Sequence, residues 1–283
     1  MNAAMDKMGG AHSGRSNANA ASAAASPVIT VEDLWLTFPG RRAEEPIHVL
    51  ENVQFSVRPG EFVCIVGPSG CGKTTLLNVL GGFVKQTRGT AVVEGEAVQG
   101  PHPSRIFVFQ ENGVFPWLTV EDNIGFGLLN RPKAHREKQV RHYTEMVGLS
   151  GFEKAYPREL SGGMRQRVEI ARALAAEAHV LYMDEPFGAL DFLTRLKMRA
   201  DLVRIWQQEG RTILFVTHDI EEAVQLADRV LVMSKRPATI KEEVIVDLPR
   251  PRNLDDARYL SVRDRIFSIM GMDAQGGTTG KSH

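Results

Sequence analysis

Phe62-Val-Cys-Ile-Val66 runs directly into Gly67-Pro-Ser-Gly-Cys-Gly72-Lys73-Thr74 and then into Thr75-Leu-Leu-Asn-Val-Leu80. An apolar run, a glycine-rich loop and a helix-forming run in that order read as buried strand, turn and helix. The glycines let successive backbone N–H groups turn inward around a phosphate, and the N-terminus of the helix adds partial positive charge. Gly67, Pro68, Ser69, Gly70, Cys71, Gly72, Lys73, Thr74 and Thr75 are therefore candidate phosphate-binding residues. In this P-loop pattern the lysine, Lys73, holds the β- and γ-phosphates, and the Thr74 hydroxyl holds a magnesium ion. Cys71 lies near a helix N-terminus and Lys73, a setting that can favour thiolate, although a small residue that fills the loop is the simpler reading.

The rest of the composition bounds what such a site can serve. The chain has 283 residues, 43% of them apolar, enough for a sizeable core in one large or two small domains. Lys plus Arg and Asp plus Glu number 34 each, so no overall basic field draws it to nucleic acid, and none is expected as a partner. Two cysteines and eight scattered histidines show no metal-ligand spacing, which suits a reducing cytoplasm and no structural zinc. No uninterrupted apolar run approaches the roughly 20 residues of a membrane span. Any membrane role must come through a partner. Residues 1–27 are rich in Ala, Ser, Asn and Gly and lack the apolar core of a secretory signal, so they read as a disordered tail. An amphipathic targeting helix is the alternative, disfavoured by Gly9, Gly10 and Gly14.

Upstream of the P-loop, strands are expected at Val28–Val31, Leu34–Phe38 and Val53–Val57, with another after it at Thr90–Val93. Phe38, at a strand end, suits stacking on an adenine ring or equally well packing in a core. Ile106–Phe109 is a short strand ending at Gln110. Thr119 then caps a helix that Asn130 and Pro132 end, a second helix spans about 134–147, and Leu160-Ser161-Gly162-Gly163 opens a third carrying Val168, Ala171, Arg172 and Ala175 at helical spacing. A helical insert thus occupies about 111–175. Val180–Met183 is a strand ending in Asp184-Glu185, followed by Phe187-Gly-Ala-Leu-Asp191. Downstream of a P-loop, an acidic strand end can hold magnesium, and an adjacent carboxylate can orient and deprotonate water. Thr212–Val216 is a further strand, running into Thr217-His218-Asp219; His218 terminates it where open α/β sheets place ligands. Helix 220–227, strands at 229–233 and 243–246, a helix near 260–270 and a disordered end from Gly271 complete the chain.

Taken together, the P-loop, Gln110, Leu160-Ser-Gly-Gly163, Asp184-Glu185, Ala189-Leu-Asp191 and His218 resemble the ATP-binding subunit of an ABC transporter, over about Val28 to Leu248. Met164 after the signature, Phe187-Gly-Ala-Leu-Asp191, Gln110-Glu-Asn-Gly-Val-Phe-Pro-Trp117 and Lys235-Arg-Pro237 are similar to the importers of nitrate, taurine and alkanesulfonates, although Ala238-Thr239-Ile240 departs from the usual Gly-Arg-Ile continuation. The resemblance implies an α/β P-loop NTPase fold with an N-terminal antiparallel β subdomain and an inserted helical subdomain, the cassette at 28–248 and a C-terminal helical extension within 249–283. It implies ATP and Mg2+ as cofactors, with Phe38 on adenine, Thr74, Gln110 and Asp184 at the metal, Glu185 polarising water, His218 at the γ-phosphate and Gln110 sensing it. It also implies a head-to-tail dimer in which Ser161 and Gly163 of one copy close over the γ-phosphate held by the P-loop of the other, with Gly162 and Asp191 also among the nucleotide-binding residues. Membrane-spanning permease subunits, an indirectly associated periplasmic or lipoprotein solute-binding protein, and a place on the cytoplasmic face of the membrane follow from it. An exporter subunit is the alternative; a soluble ABC ATPase acting on ribosomes or DNA would need a second cassette or a coiled-coil insertion. Val114-Phe115-Pro116-Trp117-Leu118 is an apolar run in a loop, expected to face a partner helix rather than the core.

Overall fold

The computed structural model describes residues 26–40, 45–110 and 113–272. The tail expected over 1–27 lies outside this range but for its last two residues, and so does the chain end after 272. Strands β1 (Ile29–Phe38), β2 (Ile47–Val57), β4 (Arg88–Val93) and β5 (Glu96–Ala97) form an antiparallel sheet in the order β2-β1-β4-β5. The two expected strands at 28–31 and 34–38 are one. Asp33 takes a φ of 46°, and the register slips between Val31 and Leu34, so a bulge carries the chain through a residue that reads as a turn. β2 likewise begins well before Val53, with Asn52 at a φ of 46° inside it.

The second sheet contains β3 (Phe62–Val66), β6 (Arg105–Val108), β7 (Val180–Asp184), β8 (Thr212–Val216), β9 (Arg229–Met233) and β10 (Ile240–Ile245) in the order β10-β9-β3-β8-β7-β6. All pairings are parallel except β10 on β9. Every residue of β3, β7, β8 and β9 is buried, which is why these strands read as continuous apolar runs instead of alternating ones. Helices α1 (Lys73–Leu80), α2 (Val120–Ile124), α3 (Lys133–Met146), α4 (Gly162–Ala175), α5 (Phe192–Glu209), α6 (Ile220–Leu226) and α7 (Ala257–Ile269) complete the described chain. Side-chain alternation along β3 splits the interior: Val63 and Ile65 pack with α1 and the antiparallel sheet, while Phe62, Cys64 and Val66 pack with α4, α5 and α6.

Thr119 caps α2 as expected, its hydroxyl accepting from the Asp122 N–H at 3.3 Å. The helix is short, however, and gives way to a 3-10 turn at Phe126–Leu128. A Cβ on Gly127 would lie 2.8 Å from the Ala176 Cβ, so this turn is pressed against the end of α4 at a point only glycine admits. Among the described residues no helix is long and apolar enough to cross a membrane.

Candidate active site

The C-terminal ends of the parallel strands converge on one cleft of about 700 Å3. Open α/β sheets bind ligands at such ends because loops and helix N-termini meet there. β3 delivers the P-loop. Gly70 and Gly72 sit at φ values of 71° and 124°, a conformation that only glycine holds without strain, and a Cβ on Gly72 would lie 3.0 Å from the Val49 side chain. α1 starts at Lys73, so its first free N–H groups face the loop. Lys73 is buried, and its Nζ donates to the carbonyls of Gly67 at 2.9 Å and Pro68 at 3.2 Å, which folds the loop around the cation.

β7 ends at Asp184, 4% exposed, whose Oδ1 is buried without a hydrogen-bond partner. Burial pushes its carboxyl pKa up; the Thr74 hydroxyl opposes this, Glu185 adds to it and Lys73 opposes it. Glu185 follows in the left-handed region, at a φ of 47°, with its N–H bonded to the Val216 carbonyl at 2.9 Å. Non-glycine residues held there cost of order 1–3 kcal/mol and cluster at functional sites. His218 Nδ1 donates to Glu185 Oε2 at 2.8 Å. The turn that carries His218 is held by a buried network: Arg199 donates to Glu222 Oε1 at 2.7 Å and Asp219 Oδ2 at 2.9 Å, and the Thr217 hydroxyl donates to Glu222 Oε2 at 2.6 Å.

Phe38, Ser69, Gly70, Gly72, Lys73, Thr74, Thr75, Gln110, Glu185 and His218 all line the cleft, as the sequence suggests. Phe38 is 38% exposed at its rim, free to receive a flat ring. Three lining residues have no counterpart in the sequence reading: Ile47, Val49 and Arg236. The first two belong to the part of β2 that follows no alternating pattern. Arg236 comes from the turn after β9, and its Nε donates to the Gly70 carbonyl at 2.9 Å. The Lys235-Arg-Pro237 stretch is the only local signal for it.

Cys71 fills the loop, as the simpler sequence reading has it. Its side chain is 2% exposed and turned away from the cleft, and burial pushes the thiol pKa up although Lys73 opposes this. Wild-type protein is therefore expected to keep its ATP-binding capacity after native-state treatment with a thiol-alkylating reagent, with Cys71 found unmodified by mass spectrometry; rapid labelling that ATP blocks would restore the thiolate reading.

Ser161, Gly162, Gly163 and Asp191 do not line this cleft. Ser161 caps α4, its hydroxyl accepting from Met164 N–H at 3.2 Å, and Asp191 caps α5, accepting from Thr194 N–H at 3.0 Å. A Cβ on Gly163 would lie 3.4 Å from the Leu190 side chain, so the glycine signature and the loop before Asp191 adjoin.

A glycine loop opening a helix, with paired carboxylates at the end of the parallel strand two places along the sheet, defines a P-loop nucleoside-triphosphate hydrolase. The family described as ABC transporter matches residues 50–188. The nitrate import ATP-binding protein of Synechocystis sp. is 48% identical over 253 residues, covering 86% of this chain and 94% of that protein. The aliphatic sulfonates import ATP-binding protein of Bacillus cereus is 44% identical over 221 residues, covering 78% and 88%. The dimeric, post-hydrolysis structure of an ATP-binding cassette bound to ADP and phosphate superposes with a TM-score of 0.70 at 30% identity, over 78% of this chain and 100% of that one. The chain belongs to the ABC transporter ATPase family, and its two-sheet α/β architecture is that of the ATP-binding cassette.

Proposed function

We propose that this chain is the ATP-hydrolysing subunit that powers an importer for a small anion such as nitrate, taurine or an alkanesulfonate. It works as a head-to-tail pair at the cytoplasmic face of the membrane, bound to permease subunits that a solute-binding protein supplies. The observation that carries the reading is the convergence of Lys73, Thr74, Gln110, Glu185 and His218 in one cleft while Ser161 and Gly163 lie outside it. A site missing its signature residues within one chain is a site completed by a second copy. The names of the nitrate and sulfonate relatives support the solute class.

ATP enters with adenine on Phe38 and its phosphates in the P-loop, where the loop N–H groups and Lys73 bind oxygens whose charge rises in phosphoryl transfer. Lys73 gives up its bonds to the loop carbonyls for phosphate oxygens. The unpartnered buried oxygen of Asp184, with the Thr74 hydroxyl nearby, fits a magnesium ion, and Gln110 at the cleft wall is a third candidate contact. An ion held there would supply positive charge against the phosphates. Glu185 orients the attacking water and accepts its proton, and His218, held against Glu185, is within the same cleft to meet the γ-phosphate. Phosphate release by the purified protein, dependent on Mg2+ and lost on chelation, tests the reading.

A further expected result concerns the permease. Trp117 is 70% exposed and Leu129 59%, and the Phe115 ring lies 5.5 Å from Trp117 and 4.6 Å from Phe126, forming an aromatic patch on the surface a few residues after Gln110 in the sequence. An anchor of this kind carries at least about 2 kcal/mol of an interface, roughly thirtyfold in affinity. Trp117→Ala should therefore keep ATP affinity and thermal stability while co-purification with the permease and transport fall. A variant that misfolds or loses nucleotide while assembling normally would return Trp117 to the core.

A further inference from the structure

Glu169 lies on α4, the helix that Ser161 caps, and is fully buried. Its two carboxylate oxygens accept from two backbone amides of one loop: Oε1 from Phe109 N–H and Oε2 from Gly113 N–H, both at 2.9 Å. These amides flank Gln110 on either side. A buried carboxylate is costly unless its lone pairs are met, and here the two amides meet them, while the neighbouring Arg172 charge favours the ionised form against the burial that pushes its pKa up. The fit is tight. A Cβ on Gly113 would lie 2.7 Å from Oε1, so any other residue at this position would displace the carboxylate.

The same helix grips the loop a second time. The Arg172 guanidinium lies over the Phe115 ring, 4.7 Å from its centroid. On the far side, buried Asn123 of α2 accepts from Phe115 N–H at 2.8 Å and donates to the Phe115 carbonyl at 3.1 Å. Phe109, Gly113 and Phe115 are thus each tied to helices of the insert, the first two by Glu169.

We propose that Glu169 is a positioning residue for ATP hydrolysis: its carboxylate bridges the loop across Gln110, holds that side chain at the cleft, and passes displacement of Gln110 to the aromatic patch at Phe115 and Trp117. The proposal rests on the assignment of Gln110 to the nucleotide site. Because Glu169 is not among the residues that line the cleft, it acts on the chemical step and not on ground-state nucleotide binding.

The full-length protein, with Glu169→Ala, Glu169→Gln and Gly113→Ala variants, is assayed for ATPase kcat and KM, for Tm, and for the tryptophan-fluorescence change on adding MgATP, assigned to Trp117 by its loss in Trp117→Phe. Glu169→Ala should lower kcat at least about tenfold with KM within about twofold, and abolish the fluorescence change. Glu169→Gln, which keeps one accepting oxygen, should recover part of both. Gly113→Ala should reproduce the Glu169→Ala pattern, and the double variant should be no slower than the slower single one, since both break one contact. Should Glu169→Ala not fold, Glu169→Gln and Gly113→Ala carry the test. A raised KM at unchanged kcat, an unchanged fluorescence response, or multiplicative losses in the double variant overturn the proposal. A wild type that hydrolyses no ATP would instead overturn the nucleotide-site reading beneath it.

Discussion

Glu185→Gln is expected to bind ATP as the wild type does and to hydrolyse it at least about a hundredfold more slowly. The variant keeps the shape and most of the contacts: the backbone stays bonded to Val216, and the amide oxygen can still accept from His218 Nδ1. What it loses is the oxygen that orients water and takes its proton. General-base removal costs about 10²–10⁴ in rate, whereas binding depends on the P-loop and Phe38, which the substitution does not touch. ATP should therefore accumulate in the protein, and a nucleotide-dependent dimer should become visible by size-exclusion chromatography. Calorimetric titration with ATP and a phosphate-release assay separate the two effects. Near-normal hydrolysis would remove Glu185 from the base role, and lost binding would mean that its charge, not its basicity, matters.

The parallel sheet was legible because strands buried on both faces are plain apolar runs, and the P-loop was legible because its chemistry demands fixed residue types at fixed spacing. The antiparallel sheet was harder. Asp33 and Asn52 interrupt β1 and β2 with residues that signal turns, and the positive φ that justifies the signal occurs inside a continuing strand. The shortness of α2 was hidden too, since Phe126, Leu128 and Leu129 continue an apolar pattern past Gly125, where the helix ends and the chain tightens into a 3-10 turn that packs Gly127 on Ala176. In the cleft, residues placed by a motif were legible in the sequence and those placed across the fold were not. Arg236 reaches Gly70, and Glu169 reaches Phe109 and Gly113, over separations that no local pattern records.

Asp184→Asn should separate what the fold needs from what the chemistry needs. In the protein without nucleotide, the Asp184 charge is buried, one of its oxygens meets no donor, and burial raises its pKa against the opposition of Thr74 and Lys73. A folded-state pKa raised above the unfolded value means that ionisation disfavours the fold. The stability the protonated acid would lend is present below the unfolded pKa and is lost as pH rises through the folded one. Asparagine removes that charge while keeping the volume. Near neutral pH the nucleotide-free variant should therefore melt no lower than the wild type, and a gain of about 1 kcal/mol would raise Tm by roughly 2–4 °C in a domain of this size. Catalysis should respond in the opposite sense. A neutral amide is a poor partner for a hard divalent cation, so Mg2+-dependent phosphate release should fall at least about a hundredfold. The extra thermal stabilisation by ATP with Mg2+ over ATP with chelator should vanish with it. A nucleotide-free variant that melts well below the wild type would show the carboxylate paired within the fold, and an unchanged response to Mg2+ would take Asp184 out of the metal site.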